Sequence, residues 1–412
     1  QPLLRHSSQF KNAPYQPVID FRIQELLKDR LHTETFEETS DHVRYLVTDA
    51  IRRQLVSDVP LGTFLSGGLD SSIISAVAAS HFRSLGHQLD TFSVTYTDNQ
   101  KYFKTSKFQP TTDEPYIQMM AEFLGSNHHT FVVDNEQLAL ALKAAVDARD
   151  LPGMADVDSS LLLFCEEIKK HVTVALSGEC ADEIFGGYPW YRDEKIRSAY
   201  GFPWAQTTAM RQKFLTPHLR KLIDGEAEVS ARYEQALAET DKSEGLSPKE
   251  SRLREMVHLN MYWFMQTLLT RKDRMSMYHG LEVRVPFCDH RIAEYMYSVP
   301  WEMKEYKGME KGLLRHAVEG LLPDEIRLRK KSPYPKTHNP QYTSIVSGML
   351  KEITDNSDAP IFDLVDRNAL TGLLNDEFTQ PWYGQLMTGP QTMAYMIQLN
   401  YWLEKYRVKI SL

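Results

Sequence analysis

Thr63-Phe64-Leu65-Ser66-Gly67-Gly68-Leu69-Asp70-Ser71-Ser72 is the stretch that decides the fold. Thr63-Phe64-Leu65 is a short apolar run, the right size for a buried strand. Ser66-Gly67-Gly68 turns the chain, and Ser71 to about Leu85 reads as a helix. A strand, a glycine turn and a helix in that order make an anion site. Free backbone N–H groups meet the positive end of a helix dipole, and two glycines let a phosphate come close. Ser66, Ser71 and Ser72 add hydroxyl donors. The common nucleotide loop G-x-x-x-x-G-K-[ST] is absent, and the turn holds no lysine. Asp70 would repel a bare phosphate; it makes sense if Mg²⁺ lies between its carboxylate and the phosphates. The plainer alternative is a tight turn whose serines cap the helix.

A second loop follows the same logic. Val172–Leu176 reads as a strand and leads into Ser177-Gly178-Glu179-Cys180-Ala181-Asp182-Glu183, then Phe185-Gly186-Gly187-Tyr188. Its carboxylates could hold the same metal from the other side; the alternative is a solvated acidic loop. In an open parallel sheet the carboxyl ends of the strands share one ligand crevice, so both loops would face one nucleotide.

Around these loops strands and helices alternate. Val43, Leu46, Val47, Ala50, Ile51 and Leu55 recur at helical spacing, with Thr39 or Ser40 as cap. Leu89–Tyr96 and Thr130–Val133 read as strands; Pro115–Leu124, Gln137–Arg149 and Ser159–Lys170 read as helices. The expected fold is α/β: a parallel sheet with flanking helices, Rossmann-like, plus a largely α-helical second half. In that half, Ser247–Tyr278 reads as one long helix ended by Gly280, and Met309–Leu321 and Pro390–Tyr406 as two more. Thr97–Thr112 is a polar, lysine-rich excursion, and Val18–Leu27 a short strand or helical turn in an irregular lead-in. The expected division is a lead-in or linker remnant over 1–36, an ATP-binding α/β domain over 37–195, and a mainly helical part over 196–412 that completes the site.

The 412 residues are 42% hydrophobic and 25% charged, close to a soluble globular average. Forty-seven basic against 55 acidic residues leave a formal charge of −8, the wrong sign for a nucleic-acid scaffold. No apolar run approaches the roughly 18–20 residues that span a bilayer. Three cysteines, Cys165, Cys180 and Cys288, form no C-x-x-C pair, so no disulfide framework or zinc ribbon is expected. A cytoplasmic enzyme, with no membrane or nucleic-acid partner, is the expectation. His128-His129 lacks an evident third metal ligand, and Met261–Met265 reads as helical core.

The motifs together resemble the synthetase domain of the asparagine synthetases, members of the PP-loop ATP pyrophosphatases, a HUP-like fold. Ser66–Ser72 matches the family's SGGLDSS loop, and Leu176–Tyr188 its SGE-x-(A/S)-DE-(V/I/L)-FGGY segment. Arg274-Met275-Ser276-Met277, Leu281–Phe287 with Asp289, Lys311–Arg315, and Arg329-Lys330-Lys331 match further blocks, all in family order. The sequence departs at Cys180, where many members have Gly, and at Cys288, where Leu is frequent. It begins with Gln1 and its first cysteine is Cys165, whereas glutamine-dependent members begin with a glutaminase domain whose N-terminal Cys is the nucleophile. The expectation is a fragment lacking that domain or an ammonia-dependent form.

The resemblance implies ATP-dependent asparagine synthesis from aspartate and ammonia through a β-aspartyl-AMP intermediate, with release of AMP and pyrophosphate. It implies that Leu65, Val94, Ser177 and Gly178 hold the adenosine. Ser66, Gly67, Gly68, Asp70, Ser71, Ser72 and Tyr188 would complete the ATP and pyrophosphate site. Asp70 and Asp182 would hold Mg²⁺, Glu179 would serve aspartyl-adenylate formation, and Lys311 and Lys331 would meet the leaving pyrophosphate. A glutaminase domain or subunit as source of ammonia, and a homodimer, are compatible partners. Two other uses remain open: a related carboxylate-adenylating amide synthetase of the β-lactam or lasso-peptide type, and a non-catalytic regulatory subunit. All of Asp70, Asp182 and Lys331, whose loss would mark the last, are present.

Overall fold

The computed structural model describes residues 31–105, 110–240, 245–375 and 387–410. Val18–Leu27, most of the expected lead-in and residues 106–109 of the polar excursion lie outside the described residues.

The first helix, α1 (Phe36–Gln54), starts before the expected Thr39. Thr35 caps it in a reciprocal box: its hydroxyl accepts from the Glu38 amide at 3.3 Å, and Glu38 accepts from the Thr35 amide at 2.9 Å. Thr39 and Ser40 are buried inside the helix instead. Strand β1 (Leu61–Phe64) leads into α2 (Leu69–Ser84), and β2 (Asp90–Tyr96) follows. Helix α3 (Glu114–Leu124), strand β3 (Asn127–Val133) and helices α4 (Asn135–Arg149) and α5 (Asp156–Lys169) come next. Then come β4 (Val174–Leu176) and the one-turn helix α6 (Ala181–Phe185).

The sheet is wholly parallel, in the order β3-β2-β1-β4-β5. Thr63 of β1 pairs with Thr91 on one side and Leu176 on the other. The chain builds outward from β1 through β2 to β3, then returns to place β4 on the opposite side. The carboxyl ends of β1 and β4 therefore flank the point where strand order reverses, where open parallel sheets bind ligands.

The fifth strand, β5 (Glu282–Arg284), was not anticipated, since the second half reads as helical. It is three residues long, lies at the edge and carries two charged side chains, so it shows no strand pattern. Arg284 ties it to the end of α1, donating to the Gln54 and Val56 carbonyls at 2.7 and 2.6 Å. The long helix expected over Ser247–Tyr278 is two: α7 (Pro248–Leu259) and α8 (Met265–Met277), joined by a π-helical turn at Asn260–Phe264. There the Asn260 amide group donates to the Met256 carbonyl at 2.7 Å. Gly280, at φ +69°, ends this run as expected. Helix α9 (Gly312–Ala317) is shorter than the expected Met309–Leu321, because Lys311 takes a left-handed conformation just before it.

Both faces of the sheet are covered. Leu61, Leu65, Val174 and Leu176 join a cluster with α1, α2 and α7 side chains. Phe92 and Ala175 face Leu161 and Cys165 of α5 and Met275 of α8. Helices α10 (Pro340–Asp355) and α11 (Gly389–Lys405) pack through Val346, Leu350, Met393 and Ile397 onto Leu138 and Leu142 of α4. No described helix is long and apolar enough to cross a membrane.

Candidate active site

The loop after β1 is held open by its own small residues. Gly67 has φ +65°, and a Cβ there would lie 2.7 Å from Tyr116 of α3, so both conformation and space require glycine. Gly68 caps α2 without a side chain, which leaves the first-turn amides to the cleft. The Ser66 and Ser71 hydroxyls hydrogen-bond each other at 2.9 Å. Arg329 braces this loop: it stacks 3.9 Å over Tyr116, pairs with Asp113 and donates to the Ser66 carbonyl.

The loop after β4 comes against it. A Cβ on Gly178 would lie 3.0 Å from Asp70 Cβ and 3.2 Å from the Ser71 amide nitrogen, so the two loops touch at that residue. Cys180 is left-handed, with φ +77° and ψ −18°. A side chain there costs about 1–2 kcal/mol against glycine.

The charges converge where the loops meet. Lys311, buried, places its ammonium 2.6 Å from Asp70 Oδ2 and 2.8 Å from Asp182 Oδ1. Lys331 donates to the other oxygen of Asp182 and lies over the Tyr188 ring. Glu310 and Arg315 set the Lys331 backbone: Arg315 holds the Glu310 carboxylate at 2.9 Å, and that carboxylate accepts from the Lys331 amide at 3.1 Å. Burial alone would raise the Asp182 carboxyl, but Lys311 and Lys331 hold it well below the usual range. Asp70 is raised by burial, which its contact with Lys311 only partly offsets. Lys311 is raised: burial opposes its charge, and the two aspartates outweigh burial.

Glu179 accepts from the Ser177 hydroxyl and pairs with the buried Lys272 ammonium at 2.8 Å. Burial would raise its carboxyl, but Lys272 and Ser177 bring it below the ordinary value. Next to Asp182, Glu183 is buried and accepts from the Tyr188 hydroxyl at 2.6 Å. Burial, with the Asp182 charge, pushes Glu183 up to about 7.

These groups line one cleft of about 320 Å³. Of the residues singled out from the sequence, Leu65, Ser66, Gly68, Asp70, Ser71, Val94, Ser177, Gly178, Glu179, Asp182, Tyr188, Lys311 and Lys331 line it. Two do not. Gly67 lies under Tyr116, and Ser72 is fully buried behind the loop with no hydrogen-bond partner for its hydroxyl. Sequence reading missed Lys272 and Arg271, and it quoted Arg329 in a matching block without giving it a place in the site. Lys272 and Arg271 both precede the block quoted from Arg274, inside the stretch read only as a long helix. His128 bonds Thr91 and Ser93, and His129 bonds Asp90, all on the sheet. Among the described residues no three His, Cys, Asp or Glu side chains are grouped to hold a metal. Open helix amides, paired carboxylates and two lysines suit a phosphate chain with its cation, and the wall beyond Glu179 carries further cations for an anionic second substrate.

A family model described as asparagine synthase matches residues 42–404. The chain is 52% identical over 384 residues to "Asparagine synthetase [glutamine-hydrolyzing] 3" of Bacillus subtilis, covering 92% of this chain and 62% of that protein. It is 33% identical to "Asparagine synthetase [glutamine-hydrolyzing] 1" of the same organism, covering 71% of this chain and 49% of that one. It is 28% identical to "Putative asparagine synthetase [glutamine-hydrolyzing]" of Mycobacterium bovis, covering 72% and 48%. The chain thus spans from about half to about three fifths of the length of these relatives.

Proposed function

Because this chain belongs to the asparagine synthase family, we propose that it makes asparagine from aspartate, ammonia and ATP through a β-aspartyl-AMP intermediate. The observation that carries this reading is the meeting of Asp70 and Asp182, from loops on either side of the switch point, on one ammonium in one cleft. The adenosine lies against Leu65, Val94, Ser177 and Gly178, and the triphosphate runs along the first turn of α2. The two carboxylates fit Mg²⁺: they converge on one point, and buried Asp182 Oδ1 makes no hydrogen bond of good geometry with Lys311 despite their contact. Two protein oxygens leave the other positions to phosphate and water, as Mg²⁺ prefers. When bound there, the ion would neutralise pyrophosphate charge.

The aspartate side-chain carboxylate attacks the α-phosphorus, and pyrophosphate leaves. Negative charge grows on the bridging oxygen, where Lys311 and Lys331 stand as donors. Glu179, kept ionised by Lys272, faces the reacting end and orients the amino-acid substrate. Ammonia then attacks the acyl-adenylate and AMP departs.

The test is product stoichiometry. With aspartate, ATP, Mg²⁺ and an ammonium salt, the chain is expected to yield asparagine, AMP and pyrophosphate in equal amounts. Asp182→Asn is expected to abolish all three while the circular dichroism spectrum is kept. ADP and phosphate as products, or amidation of glutamate at the same rate, would overturn the reading.

A further inference from the structure

We propose that Arg271 sets the amino-acid specificity of the cleft by holding the α-carboxylate of aspartate, the carboxylate that does not react. This deepens the function proposed above and rests on it.

Arg271 lies on α8, one residue before Lys272. It is 6% exposed and lines the cleft. Buried donors are ordinarily paired. Here the buried Nε makes no hydrogen bond among the described residues. It faces Asp158 of α5, but Oδ1 of that carboxylate stands 3.7 Å away, too far for a hydrogen bond. Oδ1 is itself unpartnered among the described residues. The other oxygen of Asp158 is engaged elsewhere. It accepts from the Met154 amide at 2.8 Å and from Arg149 at 3.4 Å. Arg149 therefore already neutralises Asp158, and Arg271 is not needed for that.

The charges of this wall do not balance without a further anion. Glu179 matches Lys272 at 2.8 Å, and Asp158 matches Arg149. Arg271 is the third cation beside two carboxylates. An uncompensated charge in a buried place is costly, and a carboxylate brought by the substrate removes that cost. A planar guanidinium meets a carboxylate with two parallel N–H donors, which an ammonium cannot do.

Position decides which carboxylate this is. Asp70, Asp182, Lys311 and Lys331 meet where the two loops touch, at the phosphate end. Arg271 is joined to that end through Lys272 and Glu179, and its charge is among those that lower the Glu179 carboxyl. An aspartate whose side-chain carboxylate faces the α-phosphorus turns its ammonium to Glu179 and its α-carboxylate to Arg271. Two fixed ends measure the carbon chain between the carboxylates, so glutamate is one methylene too long. Tyr334 backs the arginine. Its ring centre lies 4.8 Å from the guanidinium carbon, and its hydroxyl bonds Ser160 at 3.3 Å. Tyr334 follows Lys331 by three residues, so the loop that carries a phosphate donor also steadies the amino-acid end.

The test compares aspartate with 3-aminopropanoate, which has hydrogen in place of the α-carboxylate. Binding of each to the full chain, with AMP and Mg²⁺ present, is measured by calorimetry, or by competition against aspartate where the heat is small. The wild-type chain is expected to bind aspartate at least about tenfold more tightly. Arg271→Met is expected to weaken aspartate by about 10- to 100-fold and to move 3-aminopropanoate by no more than about twofold, the range for one hydrogen bond to a charged group. The KM for aspartate should rise in step, with the KM for ATP kept. Arg271→Gln is the second variant if Met misfolds, with the same comparison. Equal weakening of both compounds would make Arg271 a structural residue. That result, unchanged aspartate binding in the variants, or a wild-type chain that does not tell the two compounds apart would overturn the proposal. Discriminating binding with no AMP formed in turnover would remove the proposed function and keep Arg271. Asparagine formed by a chain whose aspartate binding ignores Arg271 would do the reverse.

Discussion

Lys330 and Lys331 are neighbours in the chain with different surroundings. Lys331 reaches Asp182 and has its amide held by Glu310, whereas Lys330 is exposed at the rim. Lys331→Ala is therefore expected to lower the adenylation rate by about 10²-fold or more, the scale of one lost transition-state donor. ATP binding without aspartate should change much less, and Lys330→Ala should be mild. The reverse order in one assay would refute the assignment. Glu183 makes a different kind of prediction. Its folded-state pKa of about 7 lies above the ordinary 4.5, so the native state binds more protons than the unfolded chain between these values. Its contribution is intact below about pH 4.5 and is lost as pH rises through about 7. The loss is on the order of 3 kcal/mol, from a shift of about 2.5 units at 1.36 kcal/mol each. Glu183→Gln still accepts from Tyr188 and cannot ionise. Relative to wild type it should gain stability at pH 8 and not at pH 5, read by denaturant unfolding at both. An equal difference at the two values would mean that Glu183 does not titrate as described.

Among the elements, the loop after β4 depends on contact and α1 on its cap, and the two separate in experiment. Gly178→Ala puts a methyl 3.0 Å from Asp70 Cβ and should force the two loops apart. It is expected to cost about 1–3 kcal/mol, as overpacking does, and to lower aspartate-dependent turnover. Thr35→Ala removes the α1 capping box far from the cleft. It should cost about 1 kcal/mol of stability with turnover unchanged. Loss of turnover in Thr35→Ala, or normal turnover in Gly178→Ala, would contradict this division. The same contrast explains what could be read in advance. The loops after β1 and β4 were legible because strand, small-residue turn and helix are contiguous in sequence. Strand β5 was not, since three residues with two charges acquire strand geometry only by pairing with β4. The π turn in the long helix was not, since one inserted residue leaves the composition helical. Thr35 and Glu38 do carry a readable capping signal, but the apolar period, with Thr39 or Ser40 as cap, puts the start at Thr39.

Across the whole molecule, the sheet brings its ligand loops to one edge and the later helices bring the cations. Lys311 pairs with Asp70 across 241 residues, and Lys331 with Asp182 across 149. No local pattern encodes such pairs. Family resemblance pointed to Lys311 and Lys331, but the partnership of Lys272 with Glu179 emerged only when α8 packed against the sheet. On the function proposed above, this assembly activates the aspartate side-chain carboxylate as an adenylate before ammonia acts. The direct measurement is exchange of labelled pyrophosphate into ATP, without ammonium, comparing aspartate with glutamate and succinate. Exchange is expected with aspartate alone, and is expected to be suppressed in Glu179→Gln. Exchange that ignores aspartate, or that glutamate drives equally well, would contradict it.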